Sequence, residues 1–124
     1  MKKIFVIYGH YNNKSFTCAI KDMFIESAKQ NGHEIDLADL YQDKFNPVFA
    51  GEKANEEIKS YQSRIEKADV IVFIYPIWWF RAPAIVEGFI DRVFTPPWAF
   101  KFKKVIGYYG YPVGKLKNKR AIIF

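Results

Sequence analysis

The chain has 124 residues, half of them hydrophobic and 19% aromatic, with 19 basic and 13 acidic side chains and a formal charge of +6. That length reads as one domain, residues 1–124, and the apolar content is enough to fill a core, which excludes a disordered chain. No run of 18 apolar residues occurs, so no transmembrane helix is expected, and the lone cysteine, Cys18, excludes an internal disulfide and fits a reducing cytoplasm.

Met1-Lys2-Lys3 is followed by only five apolar residues before Gly9 and His10. That is too short for a secretion signal, and the stretch reads as a first strand, Ile4 to Tyr8. The loop Tyr11-Asn12-Asn13-Lys14-Ser15 follows. A helix is expected from the N-cap Ser15, with apolar Phe16, Ala19, Ile20, Met23 and Phe24, and with Gly32 as its C′ residue. His33 to Leu40 alternates Ile35, Leu37 and Leu40 among polar residues, as a strand near a sheet edge does. Asp39-Leu40-Tyr41 then leads into a long loop containing Asn46-Pro47 and Gly51.

Asn55 to Lys67 predicts a second helix whose narrow stripe, Ile58, Tyr61 and Ile65, leaves one side to solvent. Val70 to Tyr75 is an unbroken apolar run, rich in β-branched and aromatic residues, as in a parallel strand buried on both faces. Pro76 ends it, and Ile77, Trp78, Trp79 and Phe80 form an aromatic loop. Pro83 opens a third helix, with Ile85, Val86, Phe89, Ile90 and Val93 apolar and Glu87, Asp91 and Arg92 on other faces. From Thr95 to Asn118 the chain reads as irregular, with Pro96-Pro97-Trp98, several tyrosines and three glycines. Ala121 to Phe124 reads as one more strand.

This order of elements implies an α/β fold, a doubly wound parallel sheet with strand order 2-1-3-4. A domain of that type carries a fifth strand and two further helices, so the expectation is a domain shortened at its C-terminus, or one whose last strand is covered by another subunit. Lys101, Lys103, Lys104, Lys115, Lys117 and Lys119 are spread among aromatics and glycines near the end. They read as a solvated basic surface, and without a recognition motif no nucleic-acid partner is expected.

Two loops fall at the carboxyl ends of adjacent central strands, where open α/β sheets bind ligands. In Gly9 to Ser15, Gly9 is read as permitting a tight turn, the amides opening the first helix can face an anion, and Ser15, Thr17 and His10 add donors. Cys18 reads as packed on the helix. In Pro76 to Phe80, three aromatics directly after a buried strand cannot all point inwards. A phosphate at one end and a flat, hydrogen-bonding ring at the other would fit both loops, and flavin mononucleotide has that shape. No metal site is expected.

Several motifs, in order, resemble the flavodoxin-like NAD(P)H:quinone oxidoreductase family, which includes the regulatory reductases of potassium-efflux systems and the modulators of drug activity. They are His10 with Ser15-Phe16, Asp39-Leu40-Tyr41, Ala68-Asp69, Tyr75-Pro76-Ile77-Trp78-Trp79-Phe80, Pro83-Ala84, Gly88 to Phe94, Trp98-Ala99-Phe100 and Leu116-Lys117-Asn118-Lys119. The resemblance implies FMN or FAD, reduced by NADPH or NADH and passing two electrons to a quinone. It implies that His10, Ser15, Phe16, Thr17 and Cys18 line the flavin phosphate and ribityl chain, and that Pro76, Ile77, Trp78, Trp79 and Phe80 hold the ring. It further implies a homodimer in which aromatics after the third helix close the partner's site; for a chain without an integral membrane segment, peripheral association stays open. Those positions are Phe100 and Phe102, where better-known members carry tyrosines; Tyr108, Tyr109 and Tyr111 stand nearby as donors. With Trp79 and Phe80 they are the substrate-stacking candidates, and no side chain is nominated for covalent catalysis. The loop that follows the last strand in the family has no counterpart here, so the alternative expectation is a catalytically impaired homologue serving as a dimerisation or regulatory module.

Overall fold

The computed structural model describes all 124 residues. In chain order the elements are β1 (Lys3–Tyr8), α1 (Phe16–Gln30), β2 (Glu34–Asp39), α2 (Glu56–Lys67), β3 (Val70–Ile74), α3 (Ala84–Val93), β4 (Phe100–Ile106), β5 (Tyr109–Gly114) and β6 (Arg120–Ile123). Four strands form a parallel sheet in the order β2-β1-β3-β6, which is the expected winding. β1 and β3 lie inside it because their apolar residues serve both faces. Phe5 and Ile7 join Ile58, Tyr61, Ile65, Val86 and Phe89 in the larger core cluster. On the opposite face, Ile4, Val6 and Tyr8 pack with Cys18, Ala28, Val72 and Ile74. This division follows from the period-2 alternation of a strand.

The helix ends obey their sequence signals. Ser15 and Asn55 cap α1 and α2 through side-chain oxygens that accept the Cys18 and Ile58 amides. Gly32 takes φ +75° just beyond α1, which a side chain rarely tolerates. Pro83 precedes the first turn of α3 as its cap, one place earlier than a residue inside the helix. β2 is tied to α2 by Arg64, which donates from Nε to Asp36 Oδ2 at 3.0 Å and from Nη2 to Oδ1 at 2.6 Å.

Two expectations need correction. The stretch Thr95–Asn118 contains a regular antiparallel hairpin, β4 with β5, carrying a bulge between Lys104 and Ile106. Its Gly and Pro residues read as loop punctuation, yet they sit at places where an exposed two-stranded ribbon tolerates them. Arg92, expected on a polar face of α3, is buried. Its guanidinium donates to Glu52 Oε1 at 3.1 Å and to the Asn46 carbonyl, and it lies 5.4 Å from the Phe45 ring centroid. The buried charge is thus compensated by a carboxylate 40 residues away, and it pins the long loop onto α3. Gly88 serves the same junction, since a Cβ there would overlap the Pro47 backbone.

Candidate functional site

β1 and β3 are neighbours in the sheet with Tyr8 opposite Ile74, so the loops that leave them emerge side by side. The Gly9 amide adds one more rung by donating to the Ile74 carbonyl at 3.0 Å. Gly9 is not the tight-turn residue expected of it, because its φ is not positive. It is there for close approach: an added Cβ would overlap Val86 Cγ2 on α3.

Beyond it, His10 Nδ1 accepts the Asn12 amide at 2.9 Å. In a neutral ring that assigns the proton to Nε2, which is left free to donate. Asn12 in turn accepts the Lys14 amide on its side chain and the Ser15 amide on its carbonyl, at 2.9 and 3.3 Å, so the loop is held by its own groups. Ser15 Oγ accepts the Cys18 amide at 3.1 Å and keeps its hydroxyl hydrogen available. The Phe16 and Thr17 amides, in the first turn, have no intrahelical acceptor, and α1 carries no acidic residue there. Free amides, a hydroxyl and the uncompensated positive end of a 15-residue helix form a corner that can face an anion.

The loop after β3 is built differently. Trp78 and Arg81 exchange both backbone hydrogen bonds at 3.0 Å, closing a two-residue turn with Trp79 and Phe80 at its apex. Both apex residues are left-handed, at φ +51° and +62°. Turns of this hand normally take Asn-Gly, and a side chain with a Cβ costs roughly 1–2 kcal/mol per residue there. Trp79 and Phe80 are nevertheless 91% and 98% exposed, and Trp78 is 38% exposed, so these are not core aromatics. An Arg81–Glu87 pair, with Nε 2.9 Å from Oε1, fastens the turn to α3. The Ile77, Trp79 and Phe80 amides find no acceptor in the chain, and so remain free donors on this loop. Strain of this kind, held by surrounding bonds, concentrates at functional sites.

Aromatic contacts join the two loops. The His10 ring stacks on Tyr11 at 5.0 Å and meets Trp78 edge-on at 5.7 Å, while Tyr11 lies 6.0 Å from Trp78 and 6.2 Å from Tyr41. Next to this belt is an open cleft of about 500 Å³, lined by Tyr8, His10, Tyr11, Asn12, Asn13, Cys18, Lys21, Asp39, Tyr41 and Gln42. Lys21, Asp39, Tyr41 and Gln42 were not foreseen as site residues. The available signal was the sheet order, since Asp39 is the register partner of Tyr8 and β2 must end on the same edge as β1.

Tyr8 forms the floor. It is 2% exposed, and its hydroxyl finds no hydrogen bond of good geometry, although Ser15 and Cys18 lie near enough to bias its ionisation. Burial pushes the phenol up to about 12, with Cys18 and Asp39 adding to the rise and Ser15 opposing it. Lys21 lies 5.0 Å above the Tyr8 ring and 2.9 Å from Asp22. Burial works against its charge, but the hydrogen bond to Asp22 and the charges around it hold its pKa above the ordinary value.

Of the expected site residues, His10 and Cys18 line the cleft, with Cys18 buried as foreseen, whereas Ser15, Phe16 and Thr17 sit at the start of α1 and Trp78 meets His10 from the second loop without lining it. Pro76, Ile77, Trp79 and Phe80 follow β3 on the adjoining loop but do not line the cleft. Phe100 and Phe102 do not line it either. They lie on the hairpin, edge-to-face at 5.6 Å. No group of three or more His, Cys, Asp or Glu side chains converges anywhere in the chain.

A family model described as having a flavodoxin-like fold matches residues 2–124. The chain belongs to that family. Among its relatives, this flavodoxin-like chain is 36% identical over 124 residues to an uncharacterized NAD(P)H oxidoreductase of Haemophilus influenzae, covering 93% of this chain and 59% of that protein. It is 26% identical to the NAD(P)H dehydrogenase [quinone] 1 of Cavia porcellus, covering 99% of this chain and 52% of the other. A candidate quinone reductase of Klebsiella pneumoniae superposes with a TM-score of 0.88 at 27% identity, over 99% of this chain and 58% of that one. The flavodoxin-like chain thus spans between half and two thirds of the length of these relatives.

Proposed function

We propose that the protein is a flavin-dependent NAD(P)H:quinone oxidoreductase. The observation that carries this reading is the junction of the two loops through His10 and Trp78, which sets an anion corner beside a ledge of free amides and exposed aromatics. The names of the Haemophilus, Cavia and Klebsiella proteins support the same class of reaction.

The residues fit FMN or the equivalent half of FAD. His10 Nε2, the Ser15 hydroxyl and the Phe16 and Thr17 amides would hold the phosphate, aided by the end of α1. Thr17 and Cys18 would wall the ribityl chain. The amides of Ile77, Trp79 and Phe80 would meet the pyrimidine edge of the ring, with Pro76 and Trp78 shaping its bed. When bound, a flavin supplies the hydride-accepting and hydride-donating centre that no side chain here provides. The protein's own work is to orient, to exclude water with Trp78, Trp79 and Phe80, and to present a stacking surface to a planar acceptor. The Tyr8 hydroxyl, buried and unpartnered beneath the cleft, and the Lys21 ammonium above the Tyr8 ring both stay protonated at neutral pH.

Phe100 and Phe102 stand apart from the cleft of their own chain. That supports a homodimer in which each hairpin completes the other copy's site. Cys18, free and buried, is compatible with a cytoplasmic location, and no helix is long and apolar enough to cross a membrane. The exposed hairpin also suits a second reading, a dimerisation module without turnover. Purified protein supplied with FMN or FAD should oxidise NADPH in the presence of menadione. A stable dimer by light scattering with no oxidation above the flavin-only rate would favour the second reading and remove the first.

A further inference from the structure

The β4–β5 hairpin is the largest feature that the flavin site leaves unexplained. It is a two-stranded ribbon, separate from the main sheet, and nearly all of its residues are exposed. Isolated ribbons of this kind are marginal in water, so one that is retained has a surface to rest on. Its two faces differ. Phe100 and Phe102 share one face with Lys104, with Pro112 opposite Phe102 and Gly110 opposite Lys104. The other carries Lys101 and Lys103, with Tyr111 opposite Lys103 and, past the bulge, Ile106 opposite Tyr109. Around the tip, Ile106, Tyr108 and Tyr109 project almost fully into solvent.

The charge is one-sided as well. No aspartate or glutamate occurs after Asp91, whereas Lys101, Lys103, Lys104, Lys115, Lys117, Lys119 and Arg120 all follow it. Nothing in the hairpin neutralises its lysines: none of the six ion pairs in the chain involves them. Cations interleaved with tyrosines around an aliphatic tip are the composition of an interfacial anchor. The rings and aliphatic groups enter the headgroup boundary and the ammonium groups meet lipid phosphates.

We propose that the Lys101–Lys103–Tyr111 face of the hairpin, with its Ile106–Tyr109 tip, docks the protein on an anionic lipid surface. The opposite Phe100–Phe102 face remains free for the proposed exchange with a second copy's site. The lipid contact is independent of flavin binding. Only its purpose rests on the proposed reaction, since a quinone with an apolar tail is concentrated in the bilayer that the hairpin would touch.

The test is co-sedimentation of the full chain, without added flavin, with vesicles of phosphatidylcholine alone or mixed with phosphatidylglycerol. The protein should pellet with the mixed vesicles at low salt, and binding should weaken as salt rises. Each cation near such a surface contributes about a fivefold gain in affinity, so Lys101→Glu with Lys103→Glu should lower binding at least about tenfold. Ile106→Ser with Tyr109→Ser should lower it at unchanged charge, and far-UV circular dichroism should show both variants folded like the parent. Equal sedimentation with both kinds of vesicle, or variants that bind like the parent, would overturn the assignment. So would a dimer abolished by the lysine reversals in a protein that never pellets, which would give this face to a second copy. Tighter retention on a single-stranded oligonucleotide than on the mixed vesicles would overturn it too. A protein that binds vesicles but no flavin would leave the docking surface standing and remove the oxidoreductase reading.

Discussion

β3 and β4 are both short strands rich in apolar residues, yet they meet opposite fates. β3 has a strand on each side and a helix layer over each face, and Ile71, Val72 and Ile74 are buried. β4 has one partner and no cover, and Phe102, Val105 and Ile106 face water. The lesson is a division of labour. Packing energy resides in the sheet and its two clusters, whereas the hairpin contributes little to stability and offers surface. The loop after β3 lies between these extremes, rigidly bonded at its base and strained at its apex.

Substitutions should separate these three regions. The largest effect is expected in the sheet's cover. Phe89 is fully buried, with ring centroids of Phe45 and Tyr61 at 5.3 and 5.1 Å. Phe89→Ala should cost about 3–5 kcal/mol in urea unfolding. A smaller effect attaches to pH. Burial pushes the Tyr8 and Tyr61 phenols up to about 12, with the Asp43 carboxylate, which accepts the Tyr61 hydroxyl at 3.2 Å, adding to the second. The unfolded chain releases these protons first. The stabilisation is therefore complete below pH 10 and is lost as pH rises from about 10 to about 12, by at most about 2–3 kcal/mol per tyrosine. Denaturation midpoints measured across that window, alongside phenolate absorbance, check both the direction and the range.

At the strained apex the sign reverses. Trp79→Gly with Phe80→Gly removes the left-handed penalty and should raise stability by about 1 kcal/mol while weakening flavin binding. If the double variant is less stable than the parent, the loop is not strained as described. The smallest effect belongs to the hairpin, where Phe102→Ala, measured at dilution that leaves the chain monomeric, should change unfolding free energy by less than about 0.5 kcal/mol. A loss comparable to that of Phe89→Ala would show that the hairpin is packed against something in solution.

How legible each region was follows from where its determinants lie. β1, β3, the caps Ser15 and Asn55, and Gly32 declare themselves through local chemistry, and the sheet order follows from the alternation of strand and helix. The joined loops at the carboxyl edge were legible for the same reason. The roles of Gly9 and Arg92 were not, because each depends on a residue distant in sequence, Val86 in one case and Glu52 in the other. Asp39, Tyr41 and Gln42 reach the cleft through strand pairing, which no local pattern reports. The hairpin escaped notice because the alternation Phe100-Lys101-Phe102-Lys103 lasts only four residues before the bulge, and its partner strand carries Gly110 and Pro112, which read as loop. The left-handed pair escaped because bulky aromatics rarely take that conformation.

The most direct measurement of the central claim is a titration of FMN and of FAD into the purified chain, followed by quenching of flavin fluorescence. It should be run beside Ser15→Ala and Trp78→Ala, which disturb the two loops separately. Saturable binding by the parent, weakened about tenfold by each substitution, is the predicted result. Failure of the parent to bind either flavin at high micromolar concentration, or binding that ignores both substitutions, would contradict it.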